Sequence, residues 1–411
     1  MFKKLLLSLL ISCLFGVSSQ AAKPKKQPPV VAAHQKQVVP EATKPELPAS
    51  AIPVDIEVTA KQAILADYQT GAVLLQKNAD ESMHPSSMTK IMTAYLVMDK
   101  IKSGIVKPDT VLTVGKNGWK VEGSSMMLNI NDQVKIDELL KGLIISSGND
   151  AAVVLAEGLS GTENTFAAEM TRKAQEMGAN QTRFLNASGL PHSDHLTTAR
   201  DLLTISMRVV DDFPEFYHLY SEKEYTYGGI KQGNRNPLLY KNIGCDGIKT
   251  GHSNAGGYGM VASCIQDGQR LILIINGLPS MQARADEAMK LVTWGRRTFA
   301  NYTLFKAQQL IEQIPVWYGR ENFLPVTVEK DAVIALARVG RKDMVVKLKY
   351  ESPIAAPIQK GTVVGHIIVT SPALPKPIEI PLVAAITIEK AGFFKRMKDS
   401  VCYLIWGNPR I

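Results

Sequence analysis

Pro85-Ser86-Ser87-Met88-Thr89-Lys90-Ile91-Met92-Thr93 opens a stretch whose apolar residues Ile91, Tyr95, Leu96 and Met98 recur at helical spacing as far as about Lys102. Ser87 stands at the start of that helix, where free backbone N–H groups and the positive end of the dipole favour a developing anion. Lys90 follows three residues on, so its amine lies on the same helical face within reach of the Ser87 hydroxyl. A serine hydroxyl becomes a useful nucleophile only beside a base. A lysine near its free pKa of about 10.4 is a poor base at neutral pH. Desolvation and a second nearby cation would both correct that.

Two further segments supply the missing parts. Ser147-Gly148-Asn149 lies between two helical stretches, and Lys249-Thr250-Gly251 lies on an apolar strand. Lys249 is the second cation, Ser147 can relay a proton, and Asn149 can hydrogen-bond a substrate amide. The Lys249–Gly251 strand can pair with an extended peptide, while the Thr250 hydroxyl can meet a carboxylate. Each segment alone has a plain reading: a helix-start serine beside a solvated lysine, an interhelical turn, an edge-strand cation with a turn glycine. In this order and these settings they form the set of serine β-lactamases and penicillin-binding proteins.

Around these motifs the chain reads as α+β. Ala63–Asp67 and Ala72–Lys77 suit a hairpin across Tyr68-Gln69-Thr70-Gly71. Helices are expected over Ile136–Ile145, Ala151–Leu159, Thr165–Met177, Ala199–Val210 and Met281–Thr298, and strands at Gly247–Thr250 and Tyr258–Ile265. From Ile314 onward, short β-branched runs separated by Pro and Gly at Val326–Val328, Val333–Leu336, Met344–Tyr350, Thr362–Val369 and Ile378–Ile388 predict a small all-β domain.

The 411 residues carry 47 Lys+Arg against 38 Asp+Glu, a net charge of +9, yet the excess is not spread evenly. Residues 1–50 hold +5, residues 391–411 hold +3, and the 340 between them only +1. A nearly neutral body makes nucleic acid an unexpected partner. Met1–Lys4, the apolar run Leu5–Val17 and Ser19-Gln20-Ala21 read as a signal peptide over 1–21. Leu10-Ile11-Ser12-Cys13 loosely resembles a lipoprotein cleavage box, but Cys13 falls inside the apolar run and ordinary cleavage is expected. Residues 22–54, rich in Pro, Ala, Lys and Val, suit a flexible linker. The last segment places Phe393, Phe394, Met397, Val401, Leu404 and Ile405 on one side of a helix opposite Lys395, Arg396, Lys398 and Asp399. That pattern fits a helix lying in a membrane interface and too short to span it; packing on the second domain is the alternative.

Four cysteines, at 13, 245, 264 and 402, make no disulfide framework. Cys245 and Cys264 could meet across a hairpin, but two separate buried thiols are expected. No CxxC pair offers a zinc site, and no metal or other cofactor is expected. His192-Ser193-Asp194-His195 offers two of the ligands of a zinc peptidase, but it lacks a third and reads as a polar surface loop.

From about residue 55 to 406 the chain closely resembles the D-alanyl-D-alanine carboxypeptidases among the low-molecular-mass penicillin-binding proteins. The resemblance is carried by Pro85–Thr93, Gly123-Ser124-Ser125, Ser147-Gly148-Asn149-Asp150-Ala151, Asn234-Arg235-Asn236, Asp246–His252 and Ala356–Gly361. It implies a transpeptidase-like catalytic domain over 55–300, with an antiparallel sheet flanked by helices. A β-rich domain over 301–390 and an amphipathic anchor helix over 391–411 would follow. It implies an acyl-enzyme on Ser87 with Lys90 and Ser147 as catalytic partners. Asn149, Lys249, Thr250, Gly251 and His252 would bind substrate, with the backbone N–H groups of Ser87 and His252 holding the oxyanion. Arg284 falls where the family places a cation for the terminal carboxylate. Peptidoglycan stem peptides would be the substrate, β-lactams covalent inhibitors, and the periplasmic face of the inner membrane the location. A class A β-lactamase shares the three motifs but deacylates through a Glu-activated water. No Glu-x-x-Leu-Asn segment lies between Asn149 and Lys249. A wall-binding protein with a vestigial site is the non-catalytic alternative.

Overall fold

Leu271-Ile272-Leu273-Ile274-Ile275, a run that was not among the strands expected from the sequence, is the middle of the central strand of a five-stranded antiparallel sheet. The computed structural model describes residues 56–406. The expected signal peptide and linker lie outside them. In spatial order the sheet runs Val73–Lys77, Gln62–Asp67, Gln269–Leu278, Gly257–Gln266 and Cys245–Ser253. A continuous apolar run suits a strand covered on both faces. Ile272 and Ile274 join Ile64 and Ala66 against the helical layer. Leu271, Leu273 and Ile275 turn the other way with Ala63 and Leu65, onto Ala288, Leu291 and Val292 of the helix Met281–Thr298.

The helical layer comprises Lys90–Lys102, Ile136–Ile144, Asn149–Ser160, Glu163–Glu176 and Ala199–Asp212. Three helices start where a side-chain oxygen accepts a backbone N–H: Thr162 from Thr165, Thr198 from Asp201 and Ser280 from Ala283. Each such cap contributes about 1 kcal/mol.

After the long helix, Phe299–Phe305 pairs with Ala332–Ala337. A six-stranded sheet follows in the order Val345–Tyr350, Val363–Thr370, Ile378–Ala384, Phe323–Thr327, Glu312–Trp317 and Ile354–Ala355. Its pairs are antiparallel except the last, Glu312–Trp317 with Ile354–Ala355. Ile314, Leu324, Val326, Ile367, Val369 and Leu382 fill its core. The chain's described part closes on the helix Phe393–Trp406.

The structure corrects two expectations. Cys245 and Cys264 are joined in a disulfide. They are direct partners in the register of adjacent strands, which a one-residue irregularity between Cys245 and Gly247 brings about. His195 does not lie on a polar surface loop. It is buried, with its ring edge-on to Phe184 and its Nε2 2.9 Å from the Thr89 hydroxyl. Among the described residues no cluster of His, Cys, Asp and Glu is arranged to hold a metal.

Candidate active site

The nucleophile segment departs from a simple helix start. Ser86–Thr89 forms a turn of 3-10 helix, and the α-helix begins only at Lys90. In a 3-10 turn residues i and i+3 eclipse, which brings Lys90 over Ser87. The Lys90 Nζ donates to the Ser87 Oγ at 3.1 Å. Ser86 enters the turn with φ of +50°, and its carbonyl lies so close to Gly189 that a Cβ there would stand 1.8 Å from it. Gly189 itself has φ of +81°, so a side chain at this position is excluded by both space and conformation.

Lys90 is 1% exposed and also donates to the Asn149 Oδ1 at 2.6 Å and the Ser188 carbonyl at 2.6 Å. Its hydrogen-bond partners are thus neutral oxygens. Burial, reinforced by the Arg235 guanidinium and only partly opposed by Asp150 and Glu163, pushes its pKa down to about 7.

Ser147 is held at φ of +60°, an uncommon conformation for a serine, just before the helix that begins at Asn149. Its Oγ accepts from the Lys249 Nζ at 2.9 Å. Lys249 is buried as well, and its pKa lies well below the ordinary lysine value through burial and the repulsion of Lys90, Arg235 and Arg284. Asn149 is fixed at both ends of its amide, accepting from Lys90 and donating from Nδ2 to the Glu122 carbonyl at 2.6 Å. Behind it, the buried Asp150 carboxylate accepts from the Ser125 hydroxyl at 2.6 Å and from the Met126 and Leu128 N–H groups at 3.0 and 3.2 Å. That ties the Gly123-Ser124-Ser125 segment to the Ser147–Asn149 turn.

The edge strand Cys245–Ser253 closes the site. Gly251 meets the nucleophile turn so closely that a Cβ would stand 2.9 Å from the Pro85 carbonyl and 3.2 Å from the Met88 Cγ. Two residues on, and so on the same strand face, the Ser253 Oγ accepts from the Ser86 Oγ at 2.8 Å. Among the described residues no strand pairs with its outer side, and an extended peptide can add to an edge of this kind. Thr250 is buried beside Lys249. The His252 ring stacks on Tyr258 at 3.9 Å. Arg284 is buried, its guanidinium 5.8 Å from the Tyr258 ring and its Nη1 3.5 Å from the Gly251 carbonyl. Its Nε has no partner among the described residues.

The structure therefore brings Ser87, Lys90 and Asn149 into one hydrogen-bonded group and Ser147 and Lys249 into a second, the two joined through the Ser147–Asn149 turn, with Thr250, Gly251 and Arg284 along their border. Sequence reasoning missed Arg235 as a member. It quoted the Asn234-Arg235-Asn236 block but gave the arginine no part, and only the fold brings that cation near both lysines. Asp246 was likewise overlooked. Its carboxylate takes both Nη atoms of Arg270 at 2.7 Å, and Arg270 also reaches the Ser263 Oγ, so one side chain ties three strands together just before Lys249.

A serine nucleophile under a buried lysine, a Ser-x-Asn turn and a lysine-bearing edge strand define a serine acyl-transfer site on a penicillin-binding, transpeptidase-like fold. Residues 47–280 match the family described as D-alanyl-D-alanine carboxypeptidase, and residues 299–390 match the penicillin-binding protein 5 C-terminal domain. The chain belongs to the D-alanyl-D-alanine carboxypeptidase family. It is 37% identical to the D-alanyl-D-alanine carboxypeptidase DacC of Escherichia coli over 84% of this chain and 88% of that one. It is 36% identical to DacA of Haemophilus influenzae over 76% and 81%. Among solved structures, penicillin binding protein 5 from Haemophilus influenzae superposes with a TM-score of 0.77 at 33% identity, covering 82% of this chain and 99% of that one. Penicillin binding protein 6B from Escherichia coli gives 0.66 at 30% identity, over 84% and 99%.

Proposed function

We propose that this enzyme removes the terminal D-alanine from peptidoglycan pentapeptide stems through an acyl-enzyme on Ser87. The observation that carries the residue roles is the neutral hydrogen-bonded setting of Lys90, which at a pKa of about 7 is substantially unprotonated at physiological pH and sits 3.1 Å from the nucleophile. Lys90 takes the Ser87 proton as Oγ attacks the carbonyl of the penultimate D-alanine. The tetrahedral oxyanion is held by the N–H groups of Ser87 and His252. The C–N bond then breaks and the leaving amine takes a proton through Ser147, whose hydroxyl Lys249 positions. Water hydrolyses the ester and restores Ser87. Asn149 holds the substrate amide, while Lys249, Thr250 and Arg284 receive the terminal carboxylate; the unpartnered Arg284 Nε supports that part. A β-lactam, whose ring amide and carboxylate imitate the D-Ala-D-Ala terminus, acylates the same serine. Fluorescent penicillin should label the wild type and not Ser87→Ala, and D-alanine release should vanish with it. An unlabelled wild type would refute the reading.

The unit boundaries proposed are 55–300 for the catalytic domain and 301–390 for the β-rich domain, with the periplasm as location. Residues 391–411 are proposed to rest on the inner membrane. The polar side of the last helix faces the second domain: Lys395 reaches the Arg320 carbonyl at 2.9 Å, Asp399 accepts the Tyr318 N–H at 3.2 Å, and Ser400 meets the Tyr318 hydroxyl at 3.0 Å. Phe394 and Leu404 are left 80% and 82% exposed, with Phe393, Met397 and Val401 also open. A helix docked by its polar side supports an interfacial role for its apolar one. No described helix is long and apolar enough to cross a membrane.

A further inference from the structure

The loop that presses on the nucleophile turn is itself held from outside the site. Its Ser188 carbonyl takes the Lys90 Nζ at 2.6 Å, and its Gly189 packs on Ser86. Within the loop, the Asn186 Oδ1 accepts the Gly189 and Leu190 N–H groups at 2.7 and 3.1 Å. Ala187, the residue before Ser188, has both backbone groups tied to side chains of two different helices. Its carbonyl accepts from the Thr93 Oγ1 at 2.6 Å, about one turn after Lys90 on the same helix. Its N–H donates to the Glu163 Oε1 at 2.9 Å, at the start of the helix Glu163–Glu176. The Ser188 carbonyl is thus aimed at Lys90 by a clamp, and one jaw of that clamp is a carboxylate.

A neutral amide would satisfy the Ala187 N–H as well, so the charge of Glu163 has an effect of its own. Lys90 and Lys249 repel one another, and Arg235 repels both. Two carboxylates act on Lys90 in the opposite sense, Asp150 and Glu163. Neither bonds it directly, because the Nζ is taken by Ser87, Asn149 and Ser188. Asp150 is engaged by the Ser125 hydroxyl and by the Met126 and Leu128 N–H groups, where it builds the neighbouring turn. Glu163 lies in the first turn of its helix, where the dipole favours an anion. The Ala187 N–H and Lys90 favour its charged form too, while burial and Glu157 oppose it and raise its pKa.

Resting on the proposed role of Lys90 as base, we infer that Glu163 is a positioning residue for that base. Through Ala187 it holds the Ser188 carbonyl on the Lys90 Nζ, and through its charge it stabilises the ammonium that Lys90 becomes on taking the Ser87 proton. Arg235 and Glu163 then act as opposed weights on one amine. The arginine frees it of its proton at neutral pH, and the glutamate keeps it basic enough to take another from the serine.

The test is the pH profile of Ser87 acylation by a fluorescent penicillin, between about pH 5 and 9, for the full chain, Glu163→Gln and Glu163→Ala. D-Alanine release from a pentapeptide stem is measured on each. Gln keeps an acceptor for the Ala187 N–H without the charge, so Lys90 loses its proton more readily and the acid limb moves to lower pH. Acylation at pH 6 should then be about threefold faster than in the wild type, the scale of one screened charge several ångströms away. The plateau above pH 8 should stay near the wild-type rate. Ala removes the acceptor as well, so its limb moves in the same direction while its plateau falls about fivefold, on the scale of one hydrogen bond. Damage to the fold would slow acylation at every pH and could not speed it at pH 6. A Gln limb left in place or moved to higher pH, or an Ala plateau no lower than that of Gln, would overturn the inference while leaving the carboxypeptidase reading intact. A wild type that releases no D-alanine, or whose labelling shows no acid limb, would instead remove the reading on which it rests.

Discussion

The two buried lysines make the pH dependence of acylation the most informative measurement on this site. With its pKa near 7, Lys90 is about half neutral at pH 7, whereas at the ordinary lysine value of 10.5 roughly one molecule in 3,000 would carry the free amine. Burial and the Arg235 charge together therefore raise the population of competent base on the order of 10³-fold. If Lys90 is the base, the second-order rate of Ser87 acylation by a fluorescent penicillin should climb about tenfold for each pH unit below 7 and level off above pH 8. Arg235→Gln removes one source of the depression, so the Lys90 pKa rises and the whole acid limb moves to higher pH. The variant should be slow at pH 7 and recover toward the wild-type plateau on raising the pH, a rescue that a merely misfolded protein would not show. Because Arg235 is exposed, added salt should shift the wild-type limb in the same direction. A rate flat between pH 5.5 and 8.5, or a limb that Arg235→Gln leaves in place, would refute the assignment of Lys90 as base.

Other consequences are independent of that titration. Opening the Cys245–Cys264 disulfide, which spans 19 residues of sequence, should cost about 3 kcal/mol by the loop-closure argument and lower the Tm. Thermal melts of the Cys245→Ser/Cys264→Ser double variant would show it, and an unchanged Tm would count against a closed disulfide. Gly189→Ala forces a methyl against the Ser86 carbonyl at a left-handed position, so penicillin labelling should fall at least tenfold; retention of the wild-type rate would mean the nucleophile turn is not wedged by this loop. Deleting residues 391–411 should move the enzyme from the membrane pellet to the soluble fraction with D-alanine release intact, and a truncated protein still in the pellet would exclude the helix as the anchor.

How much of this was open to a reader of the sequence depended on how local each signal was. The helix Met281–Thr298 falls where periodicity placed it, because eighteen residues of amphipathic pattern between a serine cap and a strand leave little freedom. Gln269–Leu278 was missed, although it is central to the sheet, since a strand covered on both faces lacks the alternation that marks a half-buried one. The disulfide escaped for a related reason: Cys245 and Cys264 become opposite partners only through an irregularity in register that no residue pattern announces. His195 illustrates the opposite error, while His192 is exposed as expected. Their polar neighbourhood suggested a surface loop, but His195 turns inward because the Thr89 hydroxyl and the Leu185 N–H engage both ring nitrogens, and burial then lowers its pKa to about 4.

The proposed catalytic residues were legible as types, while what would make them reactive was not. Ser87 and Lys90 are three apart in any reading, yet the 3-10 turn that stacks one over the other is produced by Ser86 in a left-handed conformation pressed on Gly189, a hundred residues away. Lys90 and Lys249 attract notice as cations, but the proton affinity of both is lowered, and that lowering is assembled from distant pieces. The Asp246–Arg270 bond holds the strand that carries Lys249, Asp150 anchors the turn that carries Ser147, and Arg235 arrives from a third segment to repel both ammonium groups. Conservative replacement of these supporting residues should therefore leave penicillin labelling detectable while slowing it, whereas replacement of Ser87 should abolish it. The motif names the atoms that react, and the fold around it sets the proton affinity at which they do so.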